Sequence, residues 1–281
     1  MSDEVGPAVR RRQLGGRLRE LRVAAGFTTM EAAANGTGLS RASISRIEGA
    51  KQVILPRTVR LLCQSYGIDA SGVERLVLLA ERAEQRGWYQ DFADIVPGWF
   101  ERYLGEECDA TEVCSYAADV VPDLLQTDDY CRAVSAALAP DVDVDRLVAL
   151  TAVRRGRGKR LHAVLDEAVL YRRVGGPDVL RAQLRELLAD RPHVTVQVLP
   201  FTVGAHPAMA GSFTVLRFPP RTGLTTVFAN GMYPDDHQRY AAMFDRLRAL
   251  ALSPADSAAM IEALAGPLPV GLARDMPAAR D

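Results

Sequence analysis

A chain of 281 residues, 48% hydrophobic and 25% charged, has the length of about two domains and the composition of an ordinary globular protein with a real core. Its longest apolar stretches fall far short of the ~20 residues needed to cross a bilayer, which excludes a membrane-spanning reading. The net charge of −1 conceals an asymmetry: residues 1–90 hold 14 Lys and Arg against 9 Asp and Glu, and the remainder hold 20 against 26. A basic front on an acidic body is what a DNA-binding head on a non-DNA-binding body would look like.

Met1 to Arg12 is polar and has no apolar run, so no signal peptide is read there, and the chain reads as cytoplasmic. Residues 1–12 are expected to form a flexible basic arm. Arg10-Arg11-Arg12 would either touch phosphates or stay a solvated tail. A head follows over 13–86. Gln13 to Ala25 has Leu14, Leu18 and Leu21 at helical spacing and stops at Gly26. Thr28 can cap a short second helix, Thr29 to Asn35, and Gly36-Thr37-Gly38 turns the chain.

Next comes Leu39-Ser40-Arg41-Ala42-Ser43-Ile44-Ser45-Arg46-Ile47-Glu48-Gly49. Ser40 is a strong N-cap, Leu39 and Ile44 are the two ends of a hydrophobic staple, and Gly49 is the expected left-handed stop. At 100° per residue Ile44 and Ile47 share one face, while Ala42, Ser45 and Arg46 lie opposite with Arg41 flanking. Such a helix packs on a core and still enters a major groove, where arginine reads guanine. Pro56 to Tyr66 and Ser71 to Gln85 complete a set of five helices.

The Ser-Ile-Ser-Arg-Ile-Glu stretch and its surrounding helices resemble the phage-repressor-type helix-turn-helix domains (the Xre family) over roughly residues 13–80. The resemblance implies double-stranded DNA as partner, with Arg41, Ala42, Ser45 and Arg46 facing base edges. Thr29 matches a family position that meets a phosphate, Arg57 sits where the fourth helix could meet one, and Ser43 and Lys51 complete the candidate DNA-binding set. It also implies that Glu48 pairs with Arg22 of the first helix. Two departures stand out: the turn is one residue longer than the common pattern, and Gly49 follows Glu48 one residue early.

The second domain is expected over 87–265. It opens with Gly87-Trp88-Tyr89-Gln90-Asp91 and Val96-Pro97-Gly98-Trp99-Phe100, aromatics that suit a fixed junction. A strand is expected from Val113 to Val121, then Pro122-Asp123-Leu124-Leu125-Gln126-Thr127. Helices follow, to Leu138 (capped by Thr127 or Asp128) and from Val144 to Arg155. Leu161 to Leu165, Val194 to Leu199, Phe213 to Phe218 and Thr225 to Phe228 read as short strands, with a helix from Pro177 to Asp190. Tyr240 to Ala251 and Pro254 to Leu264 close the domain as helices. The fold class is therefore multidomain: an all-α helix-turn-helix head, then an α/β (or α+β) regulatory domain with a small sheet. Residues 266–281 are expected to be a mobile tail.

These motifs, with Gly175-Gly176-Pro177, Gly204-Ala205-His206-Pro207 and Gly211-Ser212-Phe213, resemble the actinobacterial WhiJ-like, antitoxin-like transcriptional regulators. Asp123 stands where that family prefers glycine, the basic loop from Arg154 to Arg160 is shortened, and part of a hairpin over 225–237 is missing. The expected function is a sequence-specific regulator, a homodimer on an inverted-repeat operator. The second domain would dimerise and answer to a small protein encoded nearby or to a small-molecule effector. The alternative is an antitoxin-like protein that mainly holds a small protein partner. Phe201, His206, Met209 and Phe213 are either the lining of a ligand or partner pocket or plain core and turn. Cys63, Cys108, Cys114 and Cys131 lack Cys-x-x-Cys pairing and read as reduced thiols, and the four histidines lack metal spacing. No catalytic motif, metal or cofactor is expected.

Overall fold

A computed structural model of the chain describes residues 7–83, 88–219, 225–229 and 231–266. It divides into two compact units, one ending at Asp109 and the other beginning at Ala110. The expected tail from Gly266 lies almost wholly outside the described residues.

The first unit is helical: α1 (Pro7–Ala24), α2 (Met30–Thr37), α3 (Arg41–Glu48), α4 (Pro56–Ser65), α5 (Ala70–Ala83) and α6 (Gly98–Asp109). Leu14 and Leu18 of α1 pack with Ile47, Ile54, Val59, Leu62, Tyr66, Val77 and Ala80 into one core. Burial pushes the Tyr66 hydroxyl up to about 12, so it stays protonated in that core.

Where the sequence suggested a flexible arm, α1 starts at Pro7, and Arg10 is buried within it. The reason lies about a hundred residues away. Asp109 at the end of α6 accepts from the Val9 amide at 2.8 Å, supplying a partner that the first turn of a helix lacks. Glu106, itself buried, accepts from Arg12 at 2.8 Å and from Arg102 at 3.1 Å. The aromatic stretch expected to open the second domain thus belongs to the first compact unit as far as Asp109.

The second unit is built on five strands: β1 (Glu112–Ala117), β2 (Arg160–Asp166), β3 (Val194–Leu199), β4 (Phe213–Arg217) and β5 (Thr225–Ala229). Their order is β3-β2-β1-β4-β5, with β1, β2 and β3 parallel and β4 and β5 antiparallel to their neighbours. β5 pairs with β4 along its whole length, from Thr225 opposite Arg217 to Ala229 opposite Phe213. Between the strands run α7 (Asp128–Leu138), α8 (Val144–Gly156) and α9 (Pro177–Leu187), and after them α10 (His237–Leu250) and α11 (Pro254–Ala265).

Alternation along the strands puts Cys114, Tyr116, Val164, Phe213, Val215 and Val227 on the face that buries Phe244 and Leu247 of α10. Val113 to Ala117 of β1 is buried at every position, as a central strand covered on both faces should be. The outer edge of β3 is closed by the start of α11. Ser257 accepts from the Val198 amide at 2.9 Å, and the Leu252 amide donates to the Val198 carbonyl at 2.9 Å. Burial raises the Cys63, Cys114 and Cys131 thiols, Cys114 to about 12, so all three stay protonated.

Candidate nucleic-acid interface

Helix α3 is defined by its ends. Ser40 caps α3, its hydroxyl accepting from the Ser43 amide at 3.1 Å, and Gly38 at φ +73 makes the sharp turn before it. Ile44 and Ile47 are each 1% exposed, so the helix is fixed on one face. Arg41, Ala42 and Arg46 are exposed on the other. Ser43 and Ser45 are half-buried, and the Ser43 hydroxyl is 2.9 Å from that of Ser40. Thr29 caps α2 by accepting from the Ala32 amide at 3.1 Å, a role the sequence placed on Thr28. Lys51 and Arg57 are exposed beyond α3 and in the first turn of α4. Arg41 also lies 3.7 Å from Glu31 of α2, both largely in solvent.

The end of α3 departs from the sequence reading. Gly49 has φ −81, and the left-handed residue is Ala50 at φ +52. The Lys51 amide donates to the Arg46 carbonyl at 2.8 Å and the Ala50 amide to Ile47 at 3.1 Å, the two bonds of a Schellman cap. That six-residue geometry counts back from Lys51, so it demands positive φ one residue after the glycine. An L-residue there is strained by about 1–2 kcal/mol, part of which a glycine returns as chain entropy when unfolded. Ala50→Gly is therefore expected to stabilise the head by about 0.5–1 kcal/mol in urea unfolding. A lower midpoint would show that the Ala50 methyl is held by favourable contacts instead.

Arg22 and Glu48 meet as a two-pronged pair. Nε donates to one carboxylate oxygen at 2.6 Å and Nη2 to the other at 3.0 Å, with side chains 5% and 4% exposed. Arg22 also donates to the Phe27 carbonyl, and the bond to Glu48 holds its guanidinium above the usual arginine range. Sequence reasoning missed what lets α1 come close to this pair. A Cβ on Gly15 would lie 2.6 Å from the Ile47 carbonyl oxygen and 2.9 Å from that of Glu48. The local signal was a pair of glycines, Gly15-Gly16, within a helix, and it did not say which of them meets a neighbour.

In the second unit the four residues read as either pocket lining or core and turn fall in different environments. Phe213 is 3% exposed in the core, its ring 5.9 Å from Tyr116 and 5.2 Å from Tyr240, because its place on β4 turns it toward α10. Phe201 and Met209 stand out in solvent at 59% and 70%. His206 lies against Tyr116 at 5.7 Å and accepts from the Ala208 amide at 3.3 Å. The Tyr116 hydroxyl donates to Asp166 at 3.2 Å, and burial beside that carboxylate raises it.

The Pro122-to-Thr127 stretch proves to be an anchor. Gln126 donates to the Val121 carbonyl at 2.7 Å, and buried Gln183 of α9 donates to Leu125 at 2.8 Å and accepts from Thr127 at 2.7 Å. Asp123 pairs with the buried guanidinium of Arg154.

Two family models match the chain. Residues 13–76 match a family model described as a helix-turn-helix domain. Residues 100–263, more than half of the 281, match one described as a domain of unknown function (DUF5753). The chain belongs to this family. Its helix-turn-helix head points to a DNA-binding regulator. The family match begins inside α6, the helix that packs on α1 in the first unit. No curated protein and no solved structure matches the chain. Among the described residues no helix is long and apolar enough to cross a membrane.

Proposed function

We propose that the protein is a sequence-specific transcriptional regulator of the Xre type that reads operator DNA with α3. The observation that carries this is a helix anchored by Ile44 and Ile47 that presents Arg41, Ala42 and Arg46 outward. Arg46 has the reach for a two-bond contact with guanine, and Thr29, Lys51 and Arg57 border the same helix for phosphate contacts. A single short helix reads too few base pairs to be selective, so the protein works as a homodimer on an inverted repeat. The DUF5753 unit supplies dimerisation and regulation, as in WhiJ-like regulators, and acts by binding, not by catalysis.

Selecting genomic fragments bound by the purified protein tests this reading; enrichment without an inverted repeat would overturn the dimeric form of it. On the selected site Arg46→Ala should cost about 1–3 kcal/mol and relax preference at one position per half-site. An equal loss on random DNA would reduce Arg46 to a phosphate contact.

One observation favours a second reading, an antitoxin-like holder of a small protein. Tyr171, Phe201, Met209 and Met232 are 51–70% exposed on loops at the end of the sheet where β1, β2 and β3 finish. A small apolar protein encoded beside the gene, and co-purifying with the chain, would support it.

A further inference from the structure

The second unit carries a charged cleft that DNA recognition by α3 leaves unused. From the last turn of α8 to the first residue of β2 the chain reads Arg154-Arg155-Gly156-Arg157-Gly158-Lys159-Arg160, five cations and no acid in seven residues. Gly158, at φ +60, turns it into β2. There Leu161 pairs with Val194 at the start of β3, which brings Arg191 and His193 to the same end of the sheet. Arg154, Arg155, Lys159, Arg191 and His193 together wall a cleft of about 60 Å³, with Leu124 among its apolar residues.

The charge on the walls of this cleft is of one sign. No carboxylate is among its lining residues. Asp123, Asp128 and Glu186 reach Arg154, Arg155 and Arg191 from outside the lining, and Lys159 donates to the neutral Ala110 carbonyl at 2.7 Å. Glu186 engages both terminal nitrogens of Arg191, through its carboxylate at 3.2 Å and its carbonyl at 3.0 Å, yet the Arg191 Nε is buried with no hydrogen-bond partner. A buried donor left open beside a cationic recess is a place where an ion or water belongs.

We propose that this cleft binds the phosphoryl group of a small phosphorylated effector. At roughly 10–15 Å³ per water-sized atom, the volume takes about four to six such atoms, enough for one phosphoryl group with its oxygens. Arginine and lysine donors around a recess match that tetrahedral anion. A recess also selects against duplex DNA, whose backbone is met by exposed cations, whereas the Arg154 side chain is 1% exposed. Binding stands whether or not the head binds DNA; only an effect of the ligand on operator affinity rests on that reading.

The test is calorimetric titration of the full chain with inorganic phosphate, glycerol 3-phosphate and AMP at constant ionic strength. Saturable one-to-one binding is expected, weakened about tenfold, ~1.4 kcal/mol, by Arg191→Gln and by His193→Gln. Arg248→Gln, on α10, should leave it unchanged. Tighter binding of an organic phosphate identifies a metabolite as the source, and equal affinities identify the free anion; either supports the site. His193 is exposed, so its variant carries the test if Arg191→Gln fails to fold by thermal melting. The absence of saturation, or an equal loss in Arg248→Gln, would overturn the proposal. Cleft variants that weaken binding of random duplex DNA while no small phosphate binds would replace it with a DNA-backbone contact.

Discussion

Glu48→Ala is expected to destabilise the head by about 3–5 kcal/mol, because it strands a guanidinium in a site 5% open to water. The carboxylate receives two of the arginine's bonds, at 2.6 and 3.0 Å. Glu48→Gln keeps one acceptor but loses the counter-charge and sets an amide NH₂ against an arginine NH₂, so its loss should be intermediate. The pair itself is weak evidence of net stability, since desolvating two charges offsets most of their attraction. A double replacement, Arg22→Met with Glu48→Leu, should therefore be milder than Glu48→Ala alone. Hydrogen exchange over residues 13–80 of the full chain reads these effects in the head without interference from the second unit. Unchanged protection in Glu48→Ala would mean that the pair does not form in solution.

What was legible in the sequence was what neighbours in the chain decide. Ser40, the Leu39–Ile44 staple and the spacing of Ile44 and Ile47 lie close together in the chain, and they give the recognition helix with its observed start. The strands of the second unit were likewise visible as short β-rich runs. Their order was not, because the placing of β4 beside β1 depends on pairing across about a hundred residues. Arg10 to Arg12 read as an arm for the same reason: Glu106 and Asp109, which meet the start of this helix, lie far along the chain. For Phe213 the sequence left pocket and core both open, and strand alternation places it in the core. The left-handed stop of α3 was misplaced by one residue because cap geometry outranks the position of the glycine. The cations of the cleft were visible as a basic loop, but the arrival of Arg191 and His193 depends on the register of β2 with β3.

Two adjacent glycines in α1 should respond to alanine in opposite directions. Gly16 faces open space, with nothing within 4 Å of where an alanine Cβ would stand, so Gly16→Ala removes only the entropic penalty of glycine in a helix. It should stabilise the head by about 0.5–1 kcal/mol. Gly15 instead meets the last turn of the recognition helix, where a methyl carbon would sit 2.6 Å from one carbonyl oxygen and 2.9 Å from the next. Both obstacles are backbone, so no side chain can rotate away; the two helices must separate. Separation by a few tenths of an ångström would lengthen the bonds of Arg22 to Glu48 and loosen Ile47 against Leu14 and Leu18. Overpacking of this kind costs about 1–3 kcal/mol, more than the helix propensity gained. Because α3 itself is displaced, operator affinity should fall further than stability alone explains, under conditions where the variant remains folded. Urea unfolding and DNA titration of the two variants side by side provide the measure. Equal stabilisation by both would show that α1 and α3 do not approach this closely, and the close glycine contact would lose its part in setting the angle of the recognition helix.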